Sequence, residues 1–390
     1  MLTSRREFLS LAVGAVGGGL FCGCHKTGKG GETYSVALLG DTHFDSTDTK
    51  YYHSEYLSST TEARYKAHLK EHVRNAKMWQ ERMPSLLRAS AACVRDDTAL
   101  ILQMGDLVQG DCNNPATHRR MLTDAFNVIK GAYGDKLPFV SVVGNHDIRG
   151  DVPTDGTREA FDAWQPPVVG KELKQTVSGT TFSFWRGPDV FIVVDFNEPR
   201  PDLDLVKRLF AESGRARYTF LVSHGPAIPN GASRWFLLGD RKRDQERREL
   251  LRLMASRNTI VLSGHTHLLE YYDCVLPEGR VTQFVANSVW AKPESATLTI
   301  RGEGVSEYGA CVKPVKEKKP VKEKKPLKDK KQAERKAELP QLVEEYRPLL
   351  RDYLLANAAG HYRLEVGPSR VAVVFYEGAA TSPTRTFTLR

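Results

Sequence analysis

The sequence has no C-x-x-C pair and no cysteine–histidine spacing of the finger type, which excludes a structural zinc module. The apolar, Gly-rich run from Phe8 to Phe21 counts 14 residues, too few to span a bilayer as a stable helix. Dispersed positive charge is missing too. The formal net charge of +9 is concentrated between Lys313 and Glu338, where 12 Lys or Arg stand with 5 Asp or Glu. The remaining 44 basic and 42 acidic residues form a nearly neutral body, which argues against a nucleic-acid footprint. Otherwise the chain is ordinary: 390 residues, 41% hydrophobic and 26% charged, enough for one large domain or two small ones.

The N-terminus reads as an address. Ser4-Arg5-Arg6-Glu7-Phe8-Leu9 resembles the twin-arginine export signal, with the Phe8–Phe21 run as its apolar region. Phe21-Cys22-Gly23-Cys24 then resembles a loose lipobox, with Phe21 where leucine is usual, and lipidation of Cys24 would anchor the protein to a membrane. The alternative is a plain signal peptide cut near Gly28. Either way residues 1–30 form an export region, and the protein is expected in the periplasm or attached to the cell envelope. Cys93, Cys112, Cys274 and Cys311 would there allow one or two disulfides, whose pairing the spacing does not reveal.

Short apolar runs mark strands buried on both faces: Tyr34 to Leu39, Ala99 to Met104, Phe139 to Val143, Val190 to Val194, Tyr218 to Val222 and Thr259 to Leu262. Helices are expected between them, at Glu62 to Arg88, Pro115 to Lys130, Asp202 to Glu212 and Arg241 to Ser256. After Ser263 the strands follow one another without long helices and read as a second sheet packed on the first. The fold class is thus α/β, a two-layer mixed β-sandwich flanked by helices. Residues 31–312 form the catalytic body. Residues 313–338, with the repeat Pro-Val-Lys-Glu-Lys-Lys, are a solvated insertion, although a contact with anionic lipid, cell-wall polymer or nucleic acid stays open. Residues 339–390 complete the sandwich, beginning with an amphipathic helix from Leu339 to Ala358.

The chemistry lies where metal-binding residue types fall. Asp41 and His43 follow the first strand, Asp106 the second, Asn145 and His146 the third. His224 follows the strand at Tyr218, and His265 and His267 follow the strand at Thr259. Five of the eleven histidines stand at these strand ends, and in a mostly parallel sheet ligands gather there. Phosphate esters repel nucleophiles through their negative oxygens. Two cations about 3.5–4 Å apart neutralise that charge and activate water. Imidazole and carboxylate ligands, one of them bridging, suit such a pair.

Asp41-Thr42-His43, Gly105-Asp106, Gly144-Asn145-His146-Asp147, His224 and Gly264-His265-Thr266-His267 together resemble the signature of the calcineurin-like metallophosphoesterase superfamily, from about Thr33 to His267. The resemblance implies that Asp41, His43 and His267 hold one metal, Asn145, His224 and His265 the other, and Asp106 bridges. It implies two divalent or trivalent Mn, Fe or Zn ions, an αββα layering, and hydrolysis of a small-molecule phosphomonoester or phosphodiester by metal-bound hydroxide. His146 matches the catalytic histidine, which protonates the leaving oxygen or steadies the phosphoryl group. The sequence departs from the pattern at Gln109, where purple acid phosphatases have Tyr and other branches an Asp that orients the histidine. Either Asp111 takes over or His146 is tuned differently. Arg149 and Arg158, in a loop expected from Arg149 to Lys174, Arg234 with Trp235, and the tyrosines of the Lys50–Thr61 loop are candidates for substrate contact. A solvated or packing role fits each equally well. The competing readings are a metal-stabilised envelope-binding module without turnover and, less well matched by the charge, a nuclease.

Overall fold

A computed structural model of the chain describes residues 32–46, 62–112, 114–150, 157–197, 199–231, 236–310 and 339–390. The export region, the 50–61 loop, Arg234 with Trp235, Cys311 and the Lys-rich insertion lie outside these.

Fourteen strands among the described residues form two mixed sheets. The first runs in the order β14 (Arg385–Thr388), β13 (Val371–Glu377), β12 (Gly360–Val366), β1 (Tyr34–Leu39), β2 (Thr98–Gln103), β3 (Phe139–Ser141). The second runs β10 (Thr299–Glu303), β11 (Leu350–Asn357), β8 (Leu269–Leu276), β9 (Gly279–Val285), β7 (Ile260–Ser263), β6 (Thr219–Ser223), β5 (Asp189–Val194), β4 (Phe182–Arg186).

Alternation along each strand explains the layering. On β1, Val36 and Leu38 point into the core between the sheets, with Phe191, Val193, Phe220, Val222, Ile260 and Leu262 of the second sheet. Ala37 and Leu39 point outward to helices α1 (Glu62–Glu81), α2 (Met83–Ala92), α3 (Pro115–Ala132) and α4 (Thr157–Leu173). The outer face of the second sheet is covered by α5 (Leu203–Glu212), α6 (Asp244–Ser256) and α7 (Leu339–Tyr346). With apolar partners on both faces, the central strands need continuous apolar sequence. The αββα sandwich is as expected.

Its wiring is not. The strands after Ser263 do not make a sheet of their own. β8 to β11 extend the sheet of β4 to β7, whereas β12 to β14 join β1 on the other side. β12 pairs antiparallel with β1, Val36 opposite Leu364, and β2 pairs parallel with β1 on its other edge. Helix α4 stands where a loop was expected. Its buried face of Ala160, Phe161, Trp164 and Val169 outweighs the cost of Pro166 and Pro167 inside it. The helix expected through Ala358 stops at Tyr346. Pro348 follows at once, and Leu350–Asn357 pairs with β8 as strand β11. The helix expected over Glu62 to Arg88 divides at Arg82, because Pro84 sits in the first turn of α2, where its missing N–H is tolerated. Cys93, Cys112 and Cys274 are free thiols, so no disulfide forms among them.

Candidate metal centre

β1, β2 and β3 are mutually parallel, as are β5, β6 and β7. The turns at their carboxyl ends are stitched together. Asp106 O accepts from Thr42 N (3.1 Å) and His43 N (2.8 Å), and His224 O accepts from Gly264 N (3.0 Å). Between the sheets, Asp41 Oδ1 accepts from His265 N at 2.9 Å. These backbone contacts fix the angle at which each side chain enters.

Two adjacent groups of candidate ligands result, Asp41, His43, Asp106 and His267 in one and Asp106, His224 and His265 in the other. In the first, His43 Nε2 lies 3.0 Å from His267 Nε2 and 3.7 Å from Asp106 Oδ2. Asp41 Oδ2 lies 3.1 Å from His267 Nε2. In the second, His224 Nε2 lies 3.2 Å from Asp106 Oδ2 and 3.1 Å from His265 Nδ1. His224 Nδ1 faces the carbonyl of Met104 at 2.7 Å and can only donate to it, which leaves Nε2 free as a ligand. Asp106 belongs to both groups. Asn145 shares the turn of His146, whose N–H binds Asp106 Oδ1 at 2.8 Å.

The arrangement puts acceptors against acceptors in a buried place, and that fits cations. Asp41 Oδ2, His43 Nδ1 and Asn145 Oδ1 are buried with no hydrogen-bond partner among the described residues, a costly state without a ligand. Burial, and then the neighbouring His146, holds the His43 imidazole well below its usual proton affinity. Burial, and then His224, lowers His265 to about 3. Burial works against protonation of His224 too, but Asp106 and Asp41 overcome it and raise it to about 9. The facing rings of His224 and His265 therefore share one proton or one cation. Imidazole, carboxylate and amide oxygen together suit borderline transition metals.

His146 lies outside both groups, its ring edge-on to His43 at 4.5 Å. Its Nδ1 donates to the carbonyl of Gln109 at 3.0 Å, since a carbonyl can only accept. Arg149 Nη1 stands 3.3 Å from Nε2. Asp111 is joined to His146 through that arginine, which it grips at 2.7 and 2.6 Å. Where the pattern has an acid, the His146 ring is met here by a backbone carbonyl and a guanidinium. Arg158, by contrast, pairs with Asp195 at 2.6 Å and Asp162 at 2.7 Å.

Several contributors escape sequence reading. Phe196 packs against the rings of His224 and His265 at 5.3 and 5.2 Å. It follows β5, so the strand-end rule could have found it. On α1, His72, Asn75 and Trp79, at helical spacing, bind Asp45, Gln109 and the carbonyl of Thr42. Asp147, whose carboxyl burial and Asp106 push up to about 7, accepts from the N–H groups of Val108 and Gly144 and so braces two turns.

Four of the nine non-glycine residues at positive φ among the described residues are candidate ligands: His43, Asp106, His265 and His267. Such backbone strain, of order 1–3 kcal/mol each, persists only where surroundings enforce it. Gly144 allows a close approach at the centre, because a Cβ there would strike the backbone nitrogen and carboxylate of Asp106. Gly144→Ala is expected to cost about 1–3 kcal/mol, the scale of overpacking, and to lower the metal content per chain. Denaturant unfolding and elemental analysis check the two effects.

The family profile of the calcineurin-like phosphoesterases matches residues 34–269. No curated protein matches the chain by sequence. Among solved structures, PhoD is similar over 91% of this chain and 68% of its own, with 11% identity and a TM-score of 0.49. The purple acid phosphatase PPD1 from yellow lupin (Lupinus luteus) seeds is similar over 92% of this chain and 53% of its own, with 12% identity and a TM-score of 0.48. For a dimetal phosphatase from Danio rerio the values are 91%, 98%, 11% and 0.44.

Proposed function

The chain belongs to the calcineurin-like phosphoesterase family and is a metal-dependent phosphoric ester hydrolase, and from that premise we propose that it works outside the cytoplasm on a small phosphomonoester or phosphodiester. The observation that carries the reading is Asp106, one buried carboxylate standing in two adjacent ligand groups. Asp41, His43 and His267 would hold one ion and Asn145, His224 and His265 the other, with Asp106 shared by a pair drawn from Mn, Fe or Zn. Bound as a pair, the ions neutralise the ester's negative oxygens and activate water.

His146 meets the leaving oxygen. Burial lowers its proton affinity, so the protonated ring is a strong donor, and the negative charge of an arriving ester favours that protonation. Residues 31–312 and 339–390 serve as one catalytic unit, with 313–338 an insertion. Export rests on the Ser4–Leu9 motif and the apolar run after it, with Cys24 as a lipid anchor. No helix among the described residues is long and apolar enough to cross a membrane.

The test is hydrolysis of an aryl phosphomonoester and an aryl phosphodiester by the full chain, with and without chelator. Turnover of at least one ester is expected, lost on chelation and restored by Mn, Fe or Zn. No turnover by protein carrying two ions would favour the envelope-binding module instead.

A further inference from the structure

We propose that Arg149 is a further catalytic residue, donating from Nη1 to a non-bridging phosphoryl oxygen of the bound ester, an inference that rests on the phosphoester reading above. The case lies in how the guanidinium is mounted. Asp111, buried, takes the fork: Nε binds Oδ1 at 2.7 Å and Nη2 binds Oδ2 at 2.6 Å. Nη2 also binds Glu71 Oε2 on α1 at 2.9 Å. The mount is itself held, because the N–H of Asp111 donates to the Arg149 carbonyl at 2.7 Å and Gln109 Nε2 reaches both Asp111 (3.3 Å) and Glu71 (3.2 Å).

A guanidinium has five N–H donors. Three are spent on the two carboxylates, and Nη1 carries the other two. One points at His146 Nε2 at 3.3 Å, and the second has no partner among the described residues. The unspent edge of the cation is therefore the edge beside His146, whose ring touches the ligand His43. A guanidinium cannot accept, so at Nε2 it meets a lone pair on a neutral ring. An anionic phosphoryl oxygen is the stronger acceptor. The contact passes to the substrate when it binds, and Nε2 is released toward the leaving oxygen. Donors fixed before substrate arrives are the kind that stabilise developing charge. Gln109, which departs from the family pattern, makes sense here as the bracket that holds the two carboxylates apart around the arginine.

The experiment compares wild type, Arg149→Ala and Arg149→Lys for aryl phosphate turnover, inhibition by inorganic phosphate and metal content. Arg149→Ala is expected to keep both metals, lose about 10²-fold in kcat/KM and need roughly tenfold more phosphate for inhibition. Arg149→Lys keeps a charge but not the fork, and is expected to recover only part of both losses. Rates and phosphate inhibition within about threefold of wild type, or an activity loss that only tracks lost metal, would overturn the assignment. If the alanine variant fails to fold, the lysine variant decides, and unchanged phosphate inhibition in it counts against Arg149. Should wild type hydrolyse no ester, the parent reading fails, and calorimetric phosphate binding to the metal-loaded variants still tests Arg149.

Discussion

Asp106→Ala is expected to yield a folded protein that holds neither cation in stoichiometric amount and turns over no ester above the chelated background. Its Oδ2 stands 3.7 Å from His43 Nε2 and 3.2 Å from His224 Nε2, while Oδ1 takes the N–H of His146. One carboxylate thus ties both candidate ligand groups and the turn of His146. Changes in groups that merely support a ligand cost about 10–100-fold in metal affinity or activity, so removal of a shared ligand is expected to exceed that range. Asp106→Asn, which keeps the shape and one oxygen, is expected to retain a single weakly held ion. Elemental analysis after dialysis, with circular dichroism to confirm folding, reads both variants. Two ions per chain in the alanine variant would remove Asp106 from the bridge.

The second large effect separates chemistry from binding. His146→Ala is expected to keep both ions, because the ring belongs to neither ligand group and the backbone N–H that holds Asp106 survives the change. Turnover of an alkyl phosphate, whose leaving oxygen needs a proton, is expected to fall by about 10²–10⁴, the range for a positioned acid. An aryl ester with an acidic leaving group is expected to lose much less. The ratio of the two losses is the measurement. Equal losses on both esters would assign His146 to the phosphoryl group instead, and a near-normal rate on the alkyl ester would remove the acid role.

The strands and the candidate ligands were legible for the same reason. Strands buried on both faces must be apolar throughout, so runs such as Val190 to Val194 announce themselves, and the polar residues that end them are the ones aimed at the edge of the sheet. Asp41, His43, Asp106, His224, His265 and His267 are all brought together on that rule. Pairing between distant strands leaves no comparable trace. Nothing local in Tyr362 to Val366 says that it lies beside β1 rather than beside β10 or β11, since apolar alternation serves either neighbour. Helix α4 was missed because Pro166 and Pro167 argue for a loop, and only burial against β3 and α3 reverses them. The mount of Arg149 draws Glu71 from α1 and Asp111 from the turn after β2, residues 40 apart whose meeting depends on how the helix docks.

The pairing of β12 with β1 also sets an order of events during synthesis. β1 carries Asp41 and His43 at its end, yet one of its two edges stays bare until the stretch from Gly360 to Val366 has been made. A nascent chain still on the ribosome has every proposed ligand by His267 but not the neighbour that seats the strand presenting the first two. Firm seating of the first two proposed ligands is therefore expected only once that stretch has been made and paired. Any passage across a membrane that requires a finished fold would come after it.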